Sequence, residues 1–484
     1  MSVSVGRVSL APGLEVSRII TGLWQVADQE RDGRTLDLDA AARAMHAYVD
    51  AGFTTFDMAD HYGSAEEIVG RFRASGGKGI EALTKWVPEP GPVTYADVRA
   101  AVNRARQRLG VERIDLLQFH AWHYANPSWL DALWYLDDLR QEGAIGAIGL
   151  TNVDTAHLHL VRASGIPVVS DQVCCSLVDQ RATKQLGPYA AANGVSVLAF
   201  GTVAGGFLSD RWLGVPEPHP DRLQTWSQMK YGRFIRAAGG WARFQSLLEV
   251  CRRVADRHRT SIATVATRSI LDAPGVSAII VGARLGERDH LDDAHRTLAL
   301  QLTDEDRAEL AAACATLEPI PGDCGDEYRR PPFLTASGDL SHHVTEMPAP
   351  YPVTVGADGR RRAFSGTPWE DVAGYCRAVR VGERILVSGT TATHGARLVG
   401  GNDAGAQTTF ALDKIIGAIE SLGGREEDIV RTRIFVKNAA DWEAVSRAHG
   451  ARMGRVRPVN TLVEAKLIGD EYLVEIEAEA VVGA

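Results

Sequence analysis

Four side chains in the first 120 residues have the types and spacing of a proton-delivery site. Asp57 and Tyr62 lie five residues apart in "TTFDMADHYG", at the end of a short apolar run; Lys85 sits inside "ALTKWV" and His120 closes "IDLLQFH". Singly, each has an ordinary reading: Asp57 as a helix cap, Tyr62 as a packing ring with its hydroxyl in water, His120 as a satisfied core histidine. Lys85 is different, because a lysine flanked by Leu83 and Val87 on a strand has to be paired if it is buried. Together the four suit proton donation by a phenol. A free tyrosine has a pKa of about 10 and gives up its proton reluctantly at neutral pH. A nearby ammonium favours the phenolate, each pKa unit being worth about 1.4 kcal/mol. Lys85 supplies that charge, Asp57 holds it in place, and His120 shares the substrate oxygen with Tyr62. A strand lysine also suits Schiff-base chemistry, so a lyase using Lys85 is a competing enzyme reading. A nucleotide-binding scaffold without turnover is the non-enzymatic one.

Such a site requires strands that deliver their C-terminal ends to one rim. Eight candidates run from residue 18 to about 300: "RIITGLWQ", "TTFDMAD", "ALTKWV", "IDLLQFH", "IGAIGLTN", "VVSDQVCC", "VSVLAFG" and "SAIIVGAR". Amphipathic helical stretches that stop at glycine lie between them. Alternating strand and helix means parallel pairing with right-handed crossovers. The fold class is therefore α/β, a (β/α)8 TIM barrel, with "GRVSLAPGLEVS" as a hairpin under its bottom. The barrel is assigned to residues 1–320. Residues 321–358, rich in Pro, Gly and polar residues, read as a linker. A smaller α+β unit follows over 359–484, in which Val474, Ile476, Ala478 and Ala480 alternate with glutamates as in a half-buried strand.

On these residues the first unit resembles the aldo-keto reductase family, from about Ile20 to Leu310. The resemblance implies hydride transfer between a nicotinamide cofactor and a carbonyl, with Tyr62 as general acid, Lys85 and Asp57 tuning it and His120 placing the carbonyl. No G-x-G-x-x-G opens a helix and no P-loop is present, so a Rossmann site is not expected. "GLTN" and "DQV" resemble the family's carboxamide clamp, which implicates Thr151, Asn152 and Gln172. Phe200 in "VLAFG" stands where an aromatic stacks on the nicotinamide, or packs in the core. "VGARLGERDHLDD" resembles the 2′-phosphate loop, with Arg284 and Arg288 as forked donors and Gly282 where many members carry lysine. Gly22, Leu23 and Gly201 complete the implied cofactor contacts, and NADPH is expected over NADH. Trp24, Trp86, Trp122 and His123 suggest an aromatic-walled substrate pocket. No metal site is expected.

The second unit, from about Arg362, resembles the RidA/YjgF family of reactive-intermediate deaminases. That implies a chorismate-mutase-like fold and a homotrimer with clefts between subunits. Active members hold an imino-acid carboxylate with an arginine just after a Pro-x pair; here "RPVNT" places Asn460 there. An amide supplies neither the charge nor the fork. Arg457, three residues earlier, is expected on the opposite strand face, and Glu475 and Glu477 on a solvated one. Scaffolding is expected of this unit rather than catalysis, and its presence makes an imine a second substrate class for the barrel.

Composition bounds the partners. The net charge of −9 offers no basic footprint for nucleic acid and no polybasic membrane patch. No apolar stretch approaches the roughly 20 residues of a membrane span, and the N-terminus lacks a signal-peptide pattern. Six scattered cysteines read as reduced thiols of a cytoplasmic protein, with Cys174 and Cys175 on opposite strand faces.

Overall fold

Apolar runs that alternate with amphipathic helices become, in three dimensions, a closed barrel followed by a second sheet. The computed structural model describes residues 5–30, 34–223, 225–287, 289–330 and 347–483. Strands β1 (Arg7–Ala11) and β2 (Leu14–Ser17) form an antiparallel hairpin. Strands β3 (Ile19–Gly22), β4 (Thr55–Asp57), β5 (Glu81–Trp86), β6 (Ile114–His120), β7 (Ile145–Thr151), β8 (Val168–Cys174), β9 (Ser196–Phe200) and β10 (Val276–Gly282) pair in parallel, and β10 closes on β3. The hairpin caps the bottom of the barrel: Leu10, Leu14 and Val16 pack with Ile20, Leu83, Leu116, Ala147 and Leu198 of the interior. Each such side chain contributes about 1.5–3 kcal/mol by leaving water.

Register decides which side chains share the opposite rim. Gly22 pairs with Asp57, Lys85 with Gln118, and Thr151 with both His120 and Gln172. The crossover helices start and stop on local signals. Thr94 and Asp97 form a reciprocal capping box for Tyr95–Leu109, which ends at Gly110 in the left-handed conformation. Ser261 caps Ile262–Leu271 by accepting from the Thr264 amide. The first strand is shorter than its apolar run, and Trp24 opens a short helix, Trp24–Gln29. Cys174 and Cys175 enter different core clusters, as neighbours on a strand must.

Within 321–358, residues 331–346 lie outside the described residues. The part before them contains a helix, Asp326–Arg329, whose Glu327 is fully buried and whose Tyr328 is 8% exposed. Composition alone reads such a stretch as linker because its polar residues are buried only by long-range pairing.

The second unit contains β11 (Val353–Val355), β12 (Arg361–Ala363), β13 (Ala378–Val381), β14 (Arg384–Thr391), β15 (Thr393–His394), β16 (Arg397–Leu398), β17 (Ile429–Val436), β18 (Val459–Glu464) and β19 (Val474–Val481). Seven of these form one sheet, in the order β11-β12-β13-β14-β19-β17-β18. β19 alternates as expected, with Val474, Ile476, Ala478 and Ala480 buried. The helix Ala404–Ser421 is buried nearly all round, as a helix packed on two sides must be. One side covers the sheet. The other meets the barrel helix Thr155–Ala163, and Ala406 and Phe410 join the barrel's core. Arg457 precedes β18 and has a φ of 53°, so the strand-face argument made for it does not apply. No helix among the described residues is long and apolar enough to cross a membrane.

Candidate active site

The rim of the barrel gathers all four residues of the proton-delivery set around one cavity. Lys85 projects inward from β5 and its Nζ donates to Asp57 Oδ2 at 2.6 Å and to the Met58 carbonyl at 2.9 Å. Both members of the pair are buried, at 3% exposure each. The other carboxylate oxygen of Asp57 accepts from Gln172 Nε2 at 2.7 Å and Gln118 Nε2 at 3.1 Å. Such saturation is what a buried ion pair requires if it is not to destabilise the fold. Tyr62, partly exposed, presents its ring 4.9 Å from the Lys85 ammonium. His120 is fixed at the end of β6, with Nδ1 3.3 Å from the Thr151 carbonyl.

Charge and burial act against each other here. Burial, then the charges of Asp57, Tyr328 and Asp60, push the Tyr62 phenol well above its ordinary value. Burial lowers the Lys85 ammonium, against the pull of Asp57 and Asp60. The phenol is therefore raised rather than lowered in the protein alone, because lost hydration and the nearby carboxylates both favour the neutral form. Tyr62 keeps its proton throughout the neutral range.

The cavity, about 660 Å³ in volume, runs from Tyr62 and His120 past Asn152 and Phe200 to Ser261, Thr267 and Arg284. That is within the range of about 300–1,000 Å³ usual for small-molecule sites. Its middle suits a neutral amide. Asn152 Oδ1 and Gln25 Oε1 are buried without a hydrogen-bond partner, and both residues line the cavity. Asn152 holds a φ of 57°, and its carbonyl accepts from Arg329 Nη1 at 2.6 Å. Thr151 Oγ1 donates to the Gln172 carbonyl at 3.0 Å. These residues fit a nicotinamide carboxamide, which needs both donors and acceptors. Gln172 lines the cavity too, but its amide nitrogen is committed to Asp57 and to Gln118 Oε1.

Gly22, Gly201 and Gly282 border the cavity. Any side chain at Gly22 would meet Ile280, 2.6 Å away, and one at Gly282 would run into the Gln25 amide. Arg284 reaches the far end and pairs with Glu287 at 3.4 Å; Arg288 lies outside the described residues. Trp24 and Trp122 wall the near end. The Trp24 ring meets Tyr62 edge-on at 4.8 Å, and Trp122 meets His120 at 4.4 Å.

Three expected contacts do not border this cavity. Trp86 follows Lys85 on the strand, so it points outward, against Phe119. Leu23 is fully buried in the core. His123 turns to Glu420 of the second unit, 2.9 Å away. Conversely, the cavity holds residues that the sequence reading left out: Lys230, Tyr231, Tyr328 and Thr264. Gln118, two residues before His120, was legible from strand alternation. Ser261, capping its helix at the cavity, was legible from Ser-x-x-Thr. Lys230 and Tyr328 carry no local signal. Among the described residues no group of His, Cys, Asp and Glu is placed to hold a metal ion. In the second unit Asn460 accepts from Thr432 Oγ1 at 3.2 Å, and Glu477 is paired with Arg433.

An eight-stranded parallel barrel with a tyrosine over a buried lysine–aspartate pair has the architecture of a barrel oxidoreductase. The chain belongs to the aldo/keto reductase family, whose profile matches residues 18–315. The profile described as Endoribonuclease L-PSP, the RidA group, matches residues 368–482. An uncharacterised oxidoreductase of Mycobacterium bovis is 29% identical over 63% of this chain and 92% of its own length. The solved glycerol dehydrogenase of Gluconobacter oxydans is similar in fold, at a TM-score of 0.56 and 23% identity, over 66% of this chain and 98% of its own. A YjgF/YER057c/UK114-family protein from Mycobacterium tuberculosis is 41% identical over 25% of this chain and 99% of its own. Its TM-score is 0.24, so that likeness is one of sequence.

Proposed function

We propose that the barrel reduces a carbonyl, or the equivalent C=N bond of an imine, by hydride transfer from NADPH, with Tyr62 as general acid. The observation that carries this reading is the Lys85–Asp57 pair, buried beneath Tyr62 at one end of a cavity whose middle offers the unpartnered Asn152 Oδ1. The nicotinamide, when bound, supplies the hydride. Asn152 and Thr151 would hold its carboxamide, and Phe200 lines the same part of the cavity. Arg284, at the far end of the cavity, would hold a 2′-phosphate, which is the reason for proposing NADPH over NADH.

His120 and Tyr62 grip the substrate oxygen together. Tyr62 releases its proton to that oxygen only as negative charge builds there, and Lys85 stabilises the phenolate left behind. Asp57, bound on both oxygens, stays put while this happens. The C-terminal unit serves as a trimer-forming accessory, and the unpaired thiols fit a cytoplasmic setting.

Oxidation of NADPH, followed by its absorbance, across aldehydes, ketones, sugars and cyclic imines tests the reading. Tyr62→Phe is expected to lose ~10²-fold or more in kcat. A wild-type rate in that variant overturns the mechanism. The lyase alternative has less support, since the Lys85 ammonium is already taken up by Asp57 and the Met58 carbonyl. Failure of borohydride to trap a substrate adduct on Lys85 would remove it.

A further inference from the structure

The cavity contains a second tyrosine–lysine pair, on the side opposite in sequence to the first. Tyr328 comes from the short helix after the barrel and lines the same cavity as Tyr62 and His120. Its hydroxyl accepts from Lys230 Nζ at 2.6 Å. Lys230 is 3% exposed, on the helix Trp226–Ala237. Its ammonium stands 3.9 Å from Glu327 Oε1, and Arg181 Nη2 pairs with Glu327 Oε2 by charge at 2.9 Å. Arg181 in turn grips Asp179 through Nε at 2.9 Å and Nη2 at 2.7 Å.

Two cations and two anions thus form a buried chain of balanced charge. Such a chain is a poor stabiliser in itself, since desolvation offsets most of the attraction. What it fixes is the position of one ammonium, and that ammonium is committed to Tyr328. A phenol that accepts from an ammonium keeps its own proton to donate. Burial also raises the Tyr328 phenol, so that proton is retained.

The position of Tyr328 relative to the reacting centre is set by His120. The two rings meet edge-on at 5.4 Å, and Tyr62 lines the same cavity. A donor beside His120 is placed to reach an oxygen on the carbon next to the carbonyl, three bonds from the carbonyl oxygen that His120 and Tyr62 would hold. The charge chain is neutral overall, so the group it suits is a hydroxyl or carbonyl oxygen rather than a carboxylate.

We propose that Tyr328, positioned by Lys230, binds a second oxygen on the carbon next to the reacting C=O, and so sets this chain's preference for carbonyl compounds that carry that oxygen over those that lack it. This deepens the reductase reading and rests on it. A site built to hydrogen-bond a substrate hydroxyl discriminates against the analogue that lacks it.

The test compares lactaldehyde with propionaldehyde, which differ by the 2-hydroxyl. The wild-type chain is expected to favour lactaldehyde in kcat/KM by about tenfold or more, and Tyr328→Phe to lose most of that ratio. No preference in the wild type, or a ratio unchanged in Tyr328→Phe, overturns the proposal. Ligand-observed NMR of 1,2-propanediol against 1-propanol gives the same comparison without turnover. If the wild type reduces neither aldehyde nor any ketone, sugar or cyclic imine, the reductase reading fails on its own. Preferential binding of the diol, lost in Tyr328→Phe, would still uphold the second-oxygen site, and equal binding of the two alcohols would overturn it.

Discussion

His157 of the barrel and Asp413 of the C-terminal unit stand 2.9 Å apart, both buried, so one imidazole joins the two halves of the chain. The other ring nitrogen meets Asp154 at 2.7 Å, and Tyr124 stacks flat on the ring at 3.4 Å. Arg329 lies over Tyr124, and Arg452 approaches Asp413 at 3.5 Å. Burial opposes the imidazolium, but Asp154 and Asp413 outweigh it and raise His157 to about 9. Asp154 is lowered to about 2, in spite of burial, chiefly by His157.

A stability profile follows from that imidazole. Its folded pKa exceeds the ordinary 6.5, so its contribution is complete below pH 6.5 and is lost as pH rises through 9. The size is about 3 kcal/mol at most. Urea midpoints are expected to fall between pH 7 and pH 10, and the fall to be smaller in His157→Gln. Equal slopes in the two proteins would show that this contact does not carry the effect. If His157→Gln does not fold, Asp413→Asn provides the same comparison.

The Lys85–Asp57 pair is expected to set the alkaline limit of turnover. Lys85 lies below its ordinary value because burial outweighs Asp57. Once it loses its proton, nothing charged stabilises the Tyr62 phenolate, so kcat is expected to fall as pH rises, with a midpoint below 10.5. Asp57→Asn removes the charge that raises Lys85, so the midpoint is expected to move lower still, with kcat down by ~10-fold or more. A pH–rate profile measures both. A midpoint that moves upward in Asp57→Asn contradicts the assignment.

Much of this was legible in the sequence because the site sits on regular elements. Asp57, Lys85 and His120 end consecutive strands of a barrel, and strand ends share a rim whatever the helices between them do. The same regularity excludes Trp86, since the neighbour of an inward lysine must point outward. Tyr328 and Lys230 were not legible. They lie 98 residues apart on two helices outside the strand ends of the barrel, and no local pattern links them; the charges of Glu327, Arg181 and Asp179 surround the contact. Residues 321–330 resemble a linker for the same reason: their polar side chains find partners that no local pattern announces. His123 was placed by its position near the rim, and it is drawn away by Glu420, nearly 300 residues further on.

The short helix Asp326–Arg329 also braces the expected cofactor clamp. Arg329 donates to the Asn152 carbonyl at 2.6 Å and, through Nε, to the Ala121 carbonyl at 2.9 Å. Asn152 is held in a left-handed conformation that few non-glycine residues adopt. Without the guanidinium that conformation loses its support. Arg329→Met is expected to weaken NADPH binding by about tenfold, as loss of a charged hydrogen bond does. Titration of the protein's tryptophan fluorescence with NADPH reads this directly, and an unchanged affinity would remove Arg329 from the clamp.

The open side of the C-terminal sheet gives the assembly prediction. The barrel and the helix Ala404–Ser421 occupy one side, through Ile434, Val436, Val474 and Ile476. The other side presents Leu386, Val459 and Val463 at 40%, 64% and 44% exposure. Around them stand the paired charges Arg433–Glu477 and Arg431–Glu479. Apolar residues rimmed by charge are the composition of a contact surface. Three copies packed on this side would bury it. Sedimentation of the full chain is expected to give the mass of three chains. Val463→Asp places a carboxylate beside the Phe435–Glu475 pairing, where burial without a partner is costly. That variant is expected to run as a monomer with its barrel still folded by circular dichroism. A wild-type chain that sediments as a monomer, or a Val463→Asp variant that remains a trimer, would mean this side is not the interface.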